Sequence, residues 1–318
     1  MYLAHFGLRE PPFSLTPDTS FFFACTNYQE GLNTLLVAAR TGEGFIKIVG
    51  EVGNGKTLLC RKFLATLSSD RETTTAIGTQ DGGVSGRHAA KFITAYIPNP
   101  YLEPRSLLLA LAEEFRIDVS SEIDQHQLLK ELKITLLNFA REGKRVLVCL
   151  DEAQAMPLES MEVLRLLTNL ETEKRKLMQV VLFGQPELDE RLKHDSVRQL
   201  RQRISFQYQL QGLHRDEMDR YLRHRLAVAG YKGETLFTSA AVNLMQRVTR
   251  GTPRLANIIA HKALMLAYAE GRQQVQMRHV RKAAADTPES RKDWMVWVWW
   301  GMGALALSAL AALGIWLR

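Results

Sequence analysis

Residues 50–57 read Gly50-Glu51-Val52-Gly53-Asn54-Gly55-Lys56-Thr57, a complete GxxxxGK[ST] spacing. Gly50, Gly53 and Gly55 allow the backbone to wrap closely around an anion. The N–H groups of Glu51, Val52 and Asn54, with those of the helix that Leu58 opens, then face the anion. At this spacing Lys56 reaches the β- and γ-phosphates of a nucleoside triphosphate, and the Thr57 hydroxyl takes up Mg²⁺. About 95 residues after the lysine, the apolar run 146–150 ends in Asp151-Glu152, the form of a Walker B element. Asp151 steadies Mg²⁺ and Glu152 orients and polarises the attacking water. Phosphoryl transfer asks mainly for positioning and charge stabilisation, so one carboxylate on the metal side and one on the water side suffice. After the next apolar run stands Gly184-Gln185-Pro186. Gln185 there either senses the γ-phosphate or caps the strand. Arg201 and Arg203 could offset transition-state charge in a neighbouring subunit, and Arg254, in Gly251-Thr252-Pro253-Arg254, could contact the γ-phosphate. Each arginine is otherwise surface charge.

These groups need a frame. Phe45-Ile46-Lys47-Ile48-Val49 predicts a strand into the loop, and the residues from Leu58 to Leu64 predict the helix leaving it. Helices are expected over 28–41, 104–116, 124–141 and 158–173, and strands over 92–97, 146–150 and 179–183. Residues 70–88 are polar and carry Gly78, Gly82, Gly83 and Gly86, which reads as a long surface loop. Strands alternating with helices imply a parallel sheet, and an unbroken apolar strand implies burial on both faces. From about residue 212 only helical patterns remain, over 215–229, 238–248, 254–270 and 277–285. The expected organisation is an α/β core over 1–210, a helical module over 211–286 and a linker over 287–293.

The net charge of +7 is unevenly placed. Residues 1–200 carry 23 Lys+Arg against 26 Asp+Glu, whereas residues 201–292 carry 17 against 7. A module with a surplus of +10 suits nucleic acid, anionic lipid or acidic protein faces. Three widely spaced cysteines argue against a disulfide framework, and with eight histidines they show no zinc-ligand spacing. Residues 294–317 contain no charge. As a helix they reach roughly 36 Å, against about 30 Å of bilayer hydrocarbon. Trp294, Trp297, Trp299 and Trp300 cluster at one end and Trp316 at the other, as interfacial aromatics do. Arg291 and Lys292 precede this span and only Arg318 follows it, so the positive-inside rule predicts one crossing with residues 1–293 cytoplasmic. No N-terminal signal peptide is expected.

Together the motifs resemble the AAA+ ATPases of the general secretion pathway protein A (ExeA) type, and more narrowly the MshM-like ATPases of mannose-sensitive haemagglutinin (MSHA) pilus biogenesis. The resemblance spans about residues 1–285. It rests on Pro12-Phe13-Ser14-Leu15-Thr16-Pro17-Asp18, the phosphate loop, Asp151-Glu152-Ala153-Gln154, Gly184-Gln185-Pro186-Glu187-Leu188, Gln202-Arg203-Ile204 and Gly251-Thr252-Pro253-Arg254. It implies a P-loop NTPase αβα core with a helical lid, ATP with Mg²⁺, and self-association into an AAA+ oligomer with active sites between subunits. It also implies inner-membrane pilus or secretion assembly proteins as partners, and a bacterial inner-membrane location. By the same resemblance Gln185 is sensor 1, Arg203 the arginine finger and Arg254 sensor 2, and Pro12 and Phe13 lie near the adenine. Longer secretion ATPases of this type carry a periplasmic peptidoglycan-binding domain after the span, so the ending at Arg318 fits the pilus relative better.

The function expected is a membrane-anchored ATPase that assembles a type IV (MSHA-like) pilus or a type II secretion apparatus. Two alternatives stay open: a DNA-associated ATPase of the transposition or replication type, and a switch that binds ATP without hydrolysing it. The membrane span and the lack of a helix-turn-helix signature weigh against nucleic acid as a partner.

Overall fold

The computed structural model describes residues 2–15, 19–42, 44–76, 92–120, 122–172 and 175–290. It divides into two compact units, Ala24–Gln211 and Met1–Phe23 with Gly212–Arg318. The candidate span 294–317 and residues 77–91 lie outside the described residues. Among those described, no helix is long and apolar enough to cross a membrane.

The first unit is a three-layer αβα arrangement. It opens with α1 (Thr26–Thr41), which ends on Gly42 in the left-handed region (φ 89°), its N–H bonded to the Ala38 carbonyl. A positive φ at a helix C-terminus is a conformation glycine adopts without strain. Next come β1 (Phe45–Gly50), α2 (Lys56–Ala76), β2 (Phe92–Ile97), α3 (Pro104–Glu114), α4 (Gln125–Arg141) and β3 (Arg145–Leu150). Pro104 starts α3 where its missing N–H is harmless. Asp124 caps α4 by accepting from the His126 and Gln127 N–H groups. After β3 follow α5 (Leu158–Thr168), β4 (Met178–Gly184) and β5 (Ile204–Leu210).

The sheet order is β2-β3-β4-β1-β5, with every pairing parallel. Register aligns the carboxyl ends, with Gly50 beside Leu210, Val49 beside Gly184, and Leu150 beside both Leu182 and Ile97. Phe45 and Val49 of β1 join a buried cluster with Leu107, Leu111, Leu128, Val148 and Leu182. Ile46 and Ile48, also fully buried, alternate onto the opposite face. β1 lies between β4 and β5 while β2 occupies the far edge, so the chain reverses direction across the sheet at β1. Open α/β sheets bind ligands at the carboxyl ends beside such a switch.

Three expectations need correction here. Helix 158–173 ends at Thr168, and Glu171–Thr172 with Arg175–Lys176 forms a small antiparallel hairpin. Residues 70–76, expected in a loop, belong to α2, which continues to Ala76. Strand β5 stands where no element was expected.

The second unit holds a short turn of helix, Tyr2–His5, followed by α6 (Arg215–Val228), α7 (Ser239–Thr249), α8 (Pro253–Ala269) and α9 (Met277–Ala285). Residues 1–23, expected with the nucleotide-binding core, pack among these helices instead. The reason is physical: Phe6, Leu8, Phe13 and Phe21 are all buried there, and Phe13 meets Phe237 edge-on at 5.9 Å. Arg225, only 7% exposed, holds the segment by its main chain. Its Nε donates to the Pro12 carbonyl and Nη2 to the Ser14 carbonyl, and the guanidinium lies 4.7 Å over the Phe21 ring. Arg225→Leu is expected to destabilise this unit by about 2–3 kcal/mol, since charge-assisted bonds contribute about that much. Thermal melting and faster proteolysis near Ser14 are the readouts.

Candidate nucleotide-binding site

The phosphate loop leaves β1 at Gly50 and enters α2 at Lys56. Two of its glycines, Gly53 (φ 84°) and Gly55 (φ 83°), take left-handed backbone that other residues enter only with strain. Gly50 is needed for a different reason. A Cβ there would fall 2.8 Å from the Leu210 carbonyl oxygen on β5. The loop is also braced from outside: Asn54 Nδ2 donates to the Leu210 carbonyl at 3.0 Å. The Tyr28 hydroxyl, on the first turn of α1, donates to the carbonyls of Gly55 and Asn54.

Lys56 is 5% exposed and its Nζ donates to the loop carbonyls of Gly50 (2.8 Å) and Glu51 (3.2 Å). Burial pushes its pKa down, against the pull of Glu152, Asp151, Glu51 and Glu187. The Thr57 hydroxyl donates to Asp151 Oδ2 at 2.6 Å. Burial raises the Asp151 pKa, although Thr57 and the Glu152 N–H favour its charged form. The Tyr96 hydroxyl also reaches Asp151 Oδ2 (3.3 Å), and burial, then the Asp151 charge, pushes Tyr96 up to about 12. Two adjacent oxygen donors fit Mg²⁺, which takes few protein ligands and completes its shell with water and phosphate. Among the described residues no group of three or more His, Cys, Asp or Glu is placed to hold a metal ion.

Glu152 has left-handed backbone (φ 55°, ψ 38°) and leads into the tight turn Ala153–Ala155. Its Oε2 accepts two N–H bonds, from Gln154 Nε2 (2.6 Å) and Gln185 Nε2 (3.0 Å). Gln154 Oε1 in turn accepts from the Gln185 backbone N–H at 3.0 Å. Burial pushes the Glu152 carboxyl up, but the two amides and the Lys56 charge outweigh it and leave the group below the ordinary glutamate value.

The fold therefore gathers residues 50–57, Asp151, Glu152 and Gln185 at one end of the sheet. Leu58 is half-buried in the first turn of α2, and Val52 at the loop tip is exposed. Arg203 is elsewhere. It precedes β5 at the amino end, where Ile204 pairs with Phe45, so a strand of about 20 Å separates it from the loop. There it lines a cavity of about 170 Å³ with Gly44, Phe45, Thr168, Lys176 and Ser205. Among the described residues its buried Nη1 meets no hydrogen-bond partner, whereas Arg201 is exposed. Within the helical unit Arg254 is exposed in the first turn of α8, and Pro12 and Phe13 are buried. Sequence reasoning assigned no role to Tyr28, Tyr96 or Gln154. Only Gln154 carried a signal, as the fourth residue of the Asp151–Gln154 quartet.

Residues 39–192 match the AAA domain family. Across 316 residues, 99% of its length, the chain is 37% identical to general secretion pathway protein A of Aeromonas hydrophila. It spans 54% of that protein's length. Among solved structures it is similar to Drosophila ORC bound to DNA, with a TM-score of 0.63 at 18% identity over 86% of this chain and 64% of that one. Cdc6p from Pyrobaculum aerophilum gives 0.60 at 15% identity, covering 86% and 70% of the two chains. The ADP form of Aeropyrum pernix ORC2 gives 0.59 at 18%, covering 89% and 73%. Identities this low speak for the fold alone. Fold, phosphate loop and sequence similarity agree: residues 39–192 match the AAA domain family on a P-loop AAA+ α/β fold, and the chain is similar to general secretion pathway protein A.

Proposed function

We propose that the chain is a Mg²⁺-dependent ATPase, anchored in the bacterial inner membrane through residues 294–317, that drives assembly of a type II secretion apparatus or an MSHA-like type IV pilus. The observation that carries the hydrolytic part is the convergence of Lys56, the Thr57–Asp151 pair and the Glu152–Gln185 pair at one end of the sheet. In this reading the loop N–H groups grip the β-phosphate and Lys56 trades its two carbonyl acceptors for phosphate oxygens. Thr57 and Asp151 would hold the metal, which would neutralise charge developing on the phosphates. Glu152 orients the water for in-line attack, and Gln185 detects the γ-phosphate.

Arg203 is too far from the loop of its own chain to serve it, which supports a role on a second copy's nucleotide. That requires an AAA+ oligomer. Arg254, Pro12 and Phe13 are proposed for the γ-phosphate and adenine sides of the same nucleotide. Similarity to general secretion pathway protein A supports secretion-type partners, and the uncharged stretch 294–317 supports the anchor.

The test uses the full-length chain in nanodiscs. Calorimetry is expected to register ATP uptake, and phosphate release is expected to stop on chelation of Mg²⁺. No uptake of ATP overturns the reading, and uptake without release leaves only the switch. One observation favours duplex DNA as an alternative partner, the surplus of +10 over residues 201–292. Such binding would fall steeply with added salt as counterions are released.

A further inference from the structure

We infer that Gln154 is a positioning residue for hydrolysis, holding Glu152 by Oε2 from the backbone of the Gln185 turn so that Oε1 is left to the attacking water. The inference rests on the ATPase reading and deepens it. Three bonds define the arrangement. Gln154 Nε2 donates to Glu152 Oε2 at 2.6 Å, Gln185 Nε2 donates to the same oxygen at 3.0 Å, and Gln154 Oε1 accepts from the Gln185 N–H at 3.0 Å. Among the described residues no hydrogen bond falls on Glu152 Oε1, and Glu152 is partly exposed. One oxygen is therefore occupied twice while the other stays available.

The Gln154 side chain can act as a strut because both its ends are fixed. Its own turn is closed by the Ala155 N–H to the Glu152 carbonyl (2.9 Å) and by Arg191 Nη2 on the Met156 carbonyl (2.6 Å). On the other side, the β4 turn passes close enough that a Cβ on Gly184 would stand 3.4 Å from Gln154 Oε1 and 2.7 Å from Leu188 Cδ2.

The two amides have different duties. Gln185 has a single NH₂, whose two N–H groups are divided between Glu152 Oε2 and any phosphate it meets, so its hold on the carboxylate competes with the nucleotide. Gln154 has no such competing task, and its bond is the shorter. When Gln185 turns to the nucleotide, Gln154 keeps the carboxylate aimed. It does so from the backbone N–H of that same residue, which couples detection of the γ-phosphate to placement of the base.

The experiment compares wild type, Gln154→Leu and Gln154→Glu, each alone and in a Glu152→Gln background. Readouts are steady-state phosphate release and equilibrium ATP affinity by calorimetry. Neither substitute has an N–H to give, and the glutamate keeps a polar side chain of the same length if leucine disturbs folding. Both single variants are expected to lose about 10- to 100-fold in kcat, the scale of a small misplacement of a reacting group. The ATP affinity of the uncharged Gln154→Leu variant should stay within about twofold of wild type. In the Glu152→Gln background the same substitutions should change the residual rate by less than about twofold, since a residue acting through Glu152 has nothing left to position. Unchanged kcat in the single variants overturns the inference. So does a further equal loss in the Glu152→Gln background, or a parallel loss of ATP affinity in Gln154→Leu, either of which marks a structural role. A wild type that binds ATP without turnover removes the hydrolytic reading itself, and this inference with it.

Discussion

Gly55→Ala is expected to weaken ATP binding by more than an order of magnitude. An alanine Cβ at this position would stand 1.7 Å from the Tyr28 hydroxyl oxygen and 2.9 Å from its ring carbon Cζ. Tyr28 cannot step aside cheaply, because its ring is buried and its hydroxyl bonds the loop carbonyls of Gly55 and Asn54. Gly55 also has φ 83°, where an L side chain adds strain of its own. Left-handed backbone costs about 1–2 kcal/mol and overpacking a further 1–3 kcal/mol. The loop relieves both by changing shape, which turns its N–H groups away from the phosphates. Taken from binding, a combined sum of about 2–5 kcal/mol weakens ATP by about 30- to 4,000-fold, at 1.4 kcal/mol per decade. Calorimetric titration measures the loss. The double variant Gly55→Ala/Tyr28→Ala should recover part of it, because the clashing ring is gone. Wild-type affinity in Gly55→Ala would show that nucleotide does not depend on this loop geometry.

Much of the frame around the loop could be read from the chain. Strand β3 is an unbroken apolar run over 146–150, and β1 is apolar but for Lys47; both end in the residues that do chemistry, because a central parallel strand is covered on both faces. Strand β5 is an edge strand and follows another logic. Ile204, Phe206, Tyr208 and Leu210 alternate with Ser205, Gln207 and Gln209, and burial alternates with them. A search for apolar runs passes over such a strand, although its period of two was present. The N-terminal segment was misassigned for a different reason. Phe6, Phe13 and Phe21 are separated by some 200 residues from the helices that bury them, and no local pattern names that partner. The same holds inside the site. The Asp151–Gln154 quartet was visible, but Gln154 acquires its task only when the sheet brings β4 beside β3 and the Gln185 N–H within 3.0 Å.

Glu152→Gln should separate binding from hydrolysis more completely than any other change in the site. The substitution conserves shape. With its new amide oxygen turned toward Gln154 and Gln185, it still accepts both N–H bonds that Glu152 Oε2 accepts now. Its NH₂ then faces the position of the water, where it can donate but cannot take a proton. General-base assistance contributes roughly 10²–10⁴ in rate, and that is the expected fall in kcat. Affinity should move the other way or not at all. Glu152 is the leading charge partner of Lys56 and stands at the site proposed for the triphosphate. Removing its negative charge lessens repulsion of the phosphates, whereas Lys56, Thr57 and Asp151 keep their bonds. Calorimetry should show ATP bound at least as tightly as in wild type, while single-turnover phosphate release is slowed. If the variant instead turned over ATP at the wild-type rate, water activation would have to come from another group, and the strained backbone at Glu152 would lose its functional explanation.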